Sequence, residues 1–279
     1  SAMPMKMAKE RCPEAIVIKG NSGIYSNYSK MVTDIIHEAA PVYEKASVDE
    51  FYMDLSGMDK FFGTMKYASE LRQKIIRETG LPISFGLSQN KTVSKIATGE
   101  AKPNNQLLIG YGTEKGFLGP LSVQKIPMVG LKTYQTLCNL GVRKILTIQE
   151  MPVEMMESAL GQNGVGIWKK AQGIDNSAVE QYNERKSIST ERTFDHDTID
   201  VYKLKGIMSA MAENLAFQLR RGNKLTACVT VKIRYSDFQT QTLQKHIPYT
   251  AADHELMPIV AELFERIYNR RMLVRLIGV

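Results

Sequence analysis

The run Ser47-Val48-Asp49-Glu50-Phe51-Tyr52-Met53-Asp54 sets two adjacent carboxylates, Asp49 and Glu50, at the junction of two strand-like stretches. Carboxylates that close repel each other unless a cation neutralises them. Hard oxygen donors at a strand end suit Mg2+, which commonly takes one or two carboxylates plus substrate phosphates. In a two-metal arrangement the ions activate the attacking oxygen and steady the leaving one. An Asp-Glu pair taken alone is more often a solvated acidic turn, so the pair needs company before it means chemistry.

A second segment supplies some. Gly86-Leu87-Ser88-Gln89-Asn90-Lys91 is followed by Lys95 and by Ala101-Lys102-Pro103. A strand ends there and a helix begins, which predicts free backbone N–H groups beside lysines, a combination that holds phosphates. The glycine spacing is not that of a Walker loop, and such a segment taken alone is more often an ordinary strand-to-helix turn.

The elements that must carry these groups follow from periodicity. Residues 22–40 read as a helix with Ile24, Tyr28, Met31, Ile35 and Ile36 on one face. Residues 42–55 read as two short strands around the carboxylates. Residues 65–79 form a second helix (Ala68, Leu71, Ile75, Ile76) stopped by Gly80, residues 81–88 a strand, 91–101 a helix and 106–109 a strand. Residues 111–175 lose the strand signal and read as short helices separated by Gly and Pro, a small all-helical domain. Residues 176–186 are polar and aperiodic, as in a linker. Residues 187–279 read strand, helix, strand, strand, helix, strand. There Val229, Val231, Ile233 and Tyr235 alternate with Thr230, Lys232 and Arg234. Both helices then belong on one sheet face, leaving the other polar and partly basic. Such a face is either a nucleic-acid platform or simply solvated.

The composition is that of an ordinary globular protein: 279 residues, 43% hydrophobic and 23% charged, which excludes disordered and collagen-like classes. Three cysteines (Cys12, Cys138, Cys228) are too few for a disulfide framework or zinc cluster and are expected as buried small hydrophobes. No apolar run has the length of a membrane span and no signal peptide opens the chain, so a cytoplasmic protein with no membrane partner is expected. The net charge is +7, and residues 186–279 alone hold 14 basic against 10 acidic side chains. An anionic partner would find most of its attraction there.

These segments resemble Y-family, DinB-type translesion DNA polymerases. Ser47 to Ser56 is similar to that family's second carboxylate motif, and Gly86 to Ala97 with Ala101-Lys102-Pro103-Asn104-Asn105 to the motif that follows it. Ser1-Ala2-Met3-Pro4 resembles a fingers segment, and Ile126-Pro127-Met128-Val129-Gly130-Leu131-Lys132 the helix-hairpin-helix turn of a thumb. Arg185-Lys186-Ser187-Ile188-Ser189 resembles the linker entering a little finger, and Asp237-Phe238 and residues 275–279 later little-finger segments. Six similarities in the family's order run along the whole chain.

The resemblance implies a multi-domain α+β fold. Its parts are a fingers remnant (1–20), a partial palm with mixed sheet and helices (21–110), an all-helical thumb with a helix-hairpin-helix (111–175), a linker (176–186), and a little finger with a four-stranded sheet and two helices on one face (187–279). It implies low-fidelity, template-directed transfer of a nucleotide from dNTP to a primer 3′-hydroxyl, with two Mg2+ ions as cofactors and primer-template DNA and dNTP as partners. Asp49 and Glu50 are the implied catalytic metal ligands and Lys102 the implied triphosphate contact. Ser47 shapes the carboxylate turn and Asp54 has a structural role. Gly130, Lys132, Arg185, Lys186, Ser187, Arg192, Lys232 and Arg234 are the implied DNA contacts. Met128 stands where relatives carry glycine, which predicts a looser turn. Relatives also carry an earlier metal-binding aspartate, a ribonucleotide-excluding aromatic, a fingers Tyr and Arg pair, and a C-terminal tail that often binds a sliding clamp. The resemblance thus implies a chain truncated at the N-terminus and at the C-terminus. A non-catalytic DNA-binding relative or accessory factor is the main rival reading, and a nucleotidyl cyclase a distant one.

Overall fold

The computed structural model describes residues 3–58, 63–181 and 184–279. Ser1 and Ala2 of the expected fingers segment, and Tyr182 and Asn183 of the expected linker, lie outside them. The chain divides into two compact units, Ser1–Asn183 and Glu184–Val279.

The first unit opens with helix α1 (Met5–Arg11), which buries no residue, and helix α2 (Ser22–Ala39), capped by the Asn21 side chain at 3.2 Å from the Ile24 amide. An antiparallel hairpin, β1 (Val42–Lys45) and β2 (Phe51–Asp54), follows, with Glu44 opposite Tyr52 and Lys45 opposite Phe51. Helix α3 (Thr64–Thr79) ends at Gly80, whose left-handed φ of +71° suits glycine. α2 and α3 pack through Val32, Ile35, Ile36, Leu71 and Ile75. This corrects the expected face of α2 in part: Ile35 and Ile36 are buried as expected, together with Ser29 and Val32, whereas Ile24, Tyr28 and Met31 stay 41–49% exposed. Both stripes have helical spacing, and which one is buried depends on where α3 lies.

Strands β3 (Phe85–Leu87) and β4 (Gln106–Leu108) pair in parallel around helix α4 (Lys91–Ala101). The close approach of β3 to α4 needs Gly86, where a Cβ would lie 2.4 Å from the Ser94 carbonyl oxygen and 2.6 Å from Ala97 Cβ. α5 (Glu114–Leu118), a 3-10 turn (Val123–Lys125), α6 (Leu131–Asn139), α7 (Ile145–Glu150), α8 (Val153–Leu160) and α9 (Gln162–Ala171) complete the unit. Their core includes Val93, Ile96 and Ala97 of α4, so α4 turns its apolar face to the helices and its lysines elsewhere. Trp168 packs on this core and donates to the Met151 carbonyl at 2.8 Å.

The second unit runs β5 (Glu191–Thr198), α10 (Val201–Arg221), β6 (Thr226–Tyr235), β7 (Thr240–Thr250), α11 (Asp253–Ile267) and β8 (Val274–Gly278). Its four-stranded antiparallel sheet has the order β5-β8-β6-β7. One core joins Leu204, Met208 and Leu219 of α10, Leu256, Val260 and Phe264 of α11, and Val229, Val231, Ile233 and Tyr235 of β6. Alternation puts Thr240, Thr242 and Gln244 of β7 on the other, exposed face. The cysteines are not core residues: Cys12 is exposed, and Cys138 and Cys228 are half-buried. Among the described residues no helix is long and apolar enough to cross a membrane.

Candidate active site and nucleic-acid interface

Asp49 and Glu50 occupy the tip of the β1–β2 hairpin. The Ala46 and Ser47 amides both donate to the Glu50 carbonyl, at 3.0 and 3.2 Å, which closes the loop. The Ser47 hydroxyl donates to Asp49 Oδ1 at 2.6 Å, and the Asp49 amide donates back to Ser47 Oγ at 3.3 Å. Ser47 therefore orients one carboxylate and steadies the turn that presents both. Asp54 Oδ1 accepts the Ser56 amide at 2.9 Å, and the Ser56 hydrogen bonds hold its carboxyl below the usual carboxylate range. It terminates β2.

Helix α4 faces this tip with lysines at two successive turns. Lys95 Nζ lies 2.8 Å from each carboxylate oxygen of Glu50, and that hydrogen bond raises the Lys95 pKa above the ordinary lysine value. One turn earlier, Lys91 Nζ donates to Glu44 Oε2 at 2.7 Å and to the Ala178 carbonyl at 2.9 Å, and stands 5.4 Å over the Tyr52 ring. Burial works against the charge on Glu44, but the Glu180 amide and Lys91 outweigh it and hold the carboxyl below its usual range. Burial likewise pushes the Tyr52 phenol up. Both lysines, expected beside phosphates, have carboxylate partners in the fold. Their i, i+4 spacing on one helix face was the available signal.

Lys102, exposed, is the C-cap residue of α4, seven residues beyond Lys95 and so about 10 Å farther along the axis. The loop after it is clamped by Arg72, which donates to the Ile83 carbonyl and to both the carbonyl and side-chain oxygens of Asn104, each at 2.7 Å. Arg72 carried no sequence signal as a site residue.

The other end of α4 overturns the expected phosphate cradle. The Val93 amide is taken by the Asn90 side chain at 3.0 Å, and the Thr92 amide and hydroxyl by Asp175 Oδ2 at 3.1 and 2.7 Å. Asp175 Oδ1 accepts the Ser177 amide and hydroxyl, at 3.1 and 2.6 Å. A carboxylate of the chain's own thus sits where an anion was expected, and both nearby lysines are paired. Further contacts fasten the first part of the expected linker: Lys91 Nζ donates to the Ala178 carbonyl at 2.9 Å, the Glu180 amide to Glu44 Oε2 at 3.0 Å and Gln181 Nε2 to the Pro41 carbonyl at 2.7 Å.

Gly130 and Lys132 are exposed at the start of α6, where Gly130 is an N-cap residue without a side-chain cap. Met128 has φ +79° and is 86% exposed. The turn is therefore not loosened by the missing glycine; Met128 itself adopts the backbone conformation that glycine favours.

In the second unit Arg185, Lys186 and Ser187 are exposed and lead into β5. Lys232 and Arg234 lie on the open sheet face. Lys232 is ion-paired, its Nζ donating to Glu191 Oε1 at 2.7 Å, whereas Arg234 Nε donates to the neutral Thr240 Oγ1 at 2.8 Å and keeps its charge uncompensated by that contact. Arg192 departs from them. It is opposite Ile277, which in turn faces Ile233, so register puts it on the helix-bearing side of the sheet. Alternation along β5 therefore places Glu191, not Arg192, on the open face.

Two sequence profiles of the impB/mucB/samB family match the chain, one over residues 1–99 and its C-terminal domain over residues 185–279. DNA polymerase IV of Dehalococcoides mccartyi is 37% identical over the whole chain, which covers 72% of that protein. DNA polymerase IV of Treponema denticola is 32% identical, with 71% of it covered. Among solved structures, a Y-family DNA polymerase chimera matches 99% of the chain with a TM-score of 0.83 at 25% identity, and 80% of it is covered. DinB from Sulfolobus solfataricus shares the fold over 100% of the chain and 82% of its own, with a TM-score of 0.63 at 23% identity. With both end regions matched by the family's profiles and relatives of this identity spanning its full length, the chain belongs to the impB/mucB/samB family of DinB-type, Y-family DNA polymerases.

Proposed function

We propose that the chain carries out template-directed DNA synthesis of the translesion type, adding nucleotides from dNTPs to a primer 3′-hydroxyl. The observation that carries this reading is the pairing of similarity to DNA polymerase IV along the whole chain with the Asp49–Glu50 hairpin tip facing the lysines of α4. Residues 21–110 serve as palm, 111–175 as thumb, 176–186 as linker and 187–279 as little finger.

Asp49 and Glu50 are the ligands for Mg2+ that this chain supplies. The donor set fits: two exposed hard-oxygen groups, one held by Ser47. So sparse a set suits an ion that completes its shell with water and substrate phosphates. When bound, two Mg2+ ions supply charge neutralisation at the attacking and leaving oxygens. The protein's own part is positioning. Ser47 fixes Asp49, Lys95 holds Glu50 before substrate arrives, Arg72 sets the loop from which Lys102 meets the triphosphate, and the Glu44–Lys91 pair ties the hairpin to α4. Gly130 and Lys132 contact DNA phosphates from a helix-hairpin-helix turn. Arg185, Lys186, Ser187, Lys232 and Arg234 do so from the little finger, without reading sequence. The register argues against Arg192 in that set.

Primer extension with Mg2+ and dNTPs, run beside Glu50→Ala with duplex binding measured on both, tests the proposal. Extension that vanishes in the variant while binding persists is the expected result. Binding without extension by either protein would replace it with the non-catalytic DNA-binding reading.

A further inference from the structure

The open sheet face of the second unit carries an acid among its cations. Glu191 is on β5 and Lys232 on β6, with β8 between them. The β8 residue opposite both is Gly278. With no side chain in the way, Lys232 reaches across the intervening strand to Glu191 at 2.7 Å. The gap is filled to contact: a Cβ on Gly278 would lie 2.8 Å from Glu191 Cγ and 3.1 Å from the Thr190 carbonyl oxygen. The pair stays accessible, the two side chains being 28% and 42% exposed.

We propose that Glu191 is an intramolecular phosphate mimic. It holds Lys232 in the free chain and is displaced by a DNA phosphate, so it weakens backbone binding and flattens its salt dependence. The inference rests on the DNA-binding reading of this face. Carboxylate and phosphate oxygens compete for one ammonium group, and each is a charge-assisted acceptor. Salt screens the Glu191–Lys232 pair as well as the Lys232–phosphate contact, so added salt weakens the competitor too and offsets part of the loss of DNA affinity. An exposed pair of this kind is worth a factor of about 2 to 5 in affinity. Removing the competing charge also steepens the slope of log K against log salt by up to about 0.9.

The test is fluorescence anisotropy of a labelled primer-template duplex across a KCl series, with the full chain as wild type, Glu191→Gln, Lys232→Ala and the double variant. Glu265→Gln is the control: it makes the same change in net charge at a helix-to-helix pair with Lys205. Glu191→Gln is expected to bind about 2- to 5-fold more tightly, beyond any gain in the control, with a steeper salt slope. Lys232→Ala should cost more affinity in the Glu191→Gln background than in the wild type. If Glu191→Gln matches the control while Lys232→Ala weakens both backgrounds equally, the mimic is overturned and the DNA face stands. If Lys232→Ala changes neither affinity nor slope in either background, the DNA face fails and takes the mimic with it.

Discussion

Lys95 Nζ bridges both carboxylate oxygens of Glu50 at 2.8 Å, although the two residues are 45 apart in the chain. The lysine occupies the oxygens a divalent ion would use. Asp49 and Glu50 would otherwise repel each other at the hairpin tip, and the ammonium offsets that repulsion.

Competition for those oxygens predicts that Lys95→Met strengthens divalent-ion binding. The pair is 40–48% exposed, so the gain is about 2- to 5-fold. Mn2+ titration of the free chain followed by electron paramagnetic resonance measures it. Thermal unfolding without metal should move little, by less than about 1 kcal/mol.

Asp175 predicts an acid-sensitive first unit. Burial raises its pKa, but the hydrogen bonds from Ser177 and Thr92 together outweigh this and hold it below the ordinary aspartate value. A depressed folded-state pKa stabilises the fold above the unfolded value, about 3.9, and that stability is lost as pH falls through the folded one. Asp175→Asn should lower stability by about 1–3 kcal/mol at pH 7. The difference from wild type should shrink below about pH 4. Denaturant melts from pH 3 to 7 read both effects; a constant difference across that range would contradict the assignment.

Met128 predicts an easy gain. At φ +79° a side chain is strained by about 1–2 kcal/mol, and glycine returns part of that through its looser unfolded chain. Met128→Gly should stabilise by up to about 1 kcal/mol. Met128→Ala, which keeps the strain and loses only an 86% exposed side chain, should be near neutral by the same melts.

Gly86 predicts the opposite. A methyl group there would meet the Ser94 carbonyl oxygen at 2.4 Å and the Thr98 amide nitrogen at 2.7 Å, so β3 and α4 must part. Gly86→Ala should cost about 1–3 kcal/mol. Because α4 carries both Lys95 and Lys102, primer extension measured well below the melting temperature should fall as well.

Much of the fold was legible because its signals are local. The strands flanking Asp49 and Glu50, helix 91–101 and the strand-helix-strand-strand-helix-strand order of the second unit each follow from periodicity within about ten residues. The C-terminal half of the α2 stripe, Ile35 and Ile36, is legible in sequence, but Ile24-Tyr28-Met31 and Ser29-Val32 are equally helical in spacing, and only contact with α3 separates them. The face taken by Arg192 is not legible for a similar reason: alternation is visible in sequence, but its phase is fixed by pairing with β8.

The sequence by itself determined the chemistry available: adjacent carboxylates, lysines on the helix that follows, and a basic final third. Residue type and local period suffice for that. Only the tertiary structure decided which charges meet. Thr92 and Asp175 are 83 residues apart, Lys95 and Glu50 45, and Lys232 and Glu191 41. Such pairings depend on how separate elements pack, so they turned an expected anion cradle into a capped helix and two expected free cations into paired ones.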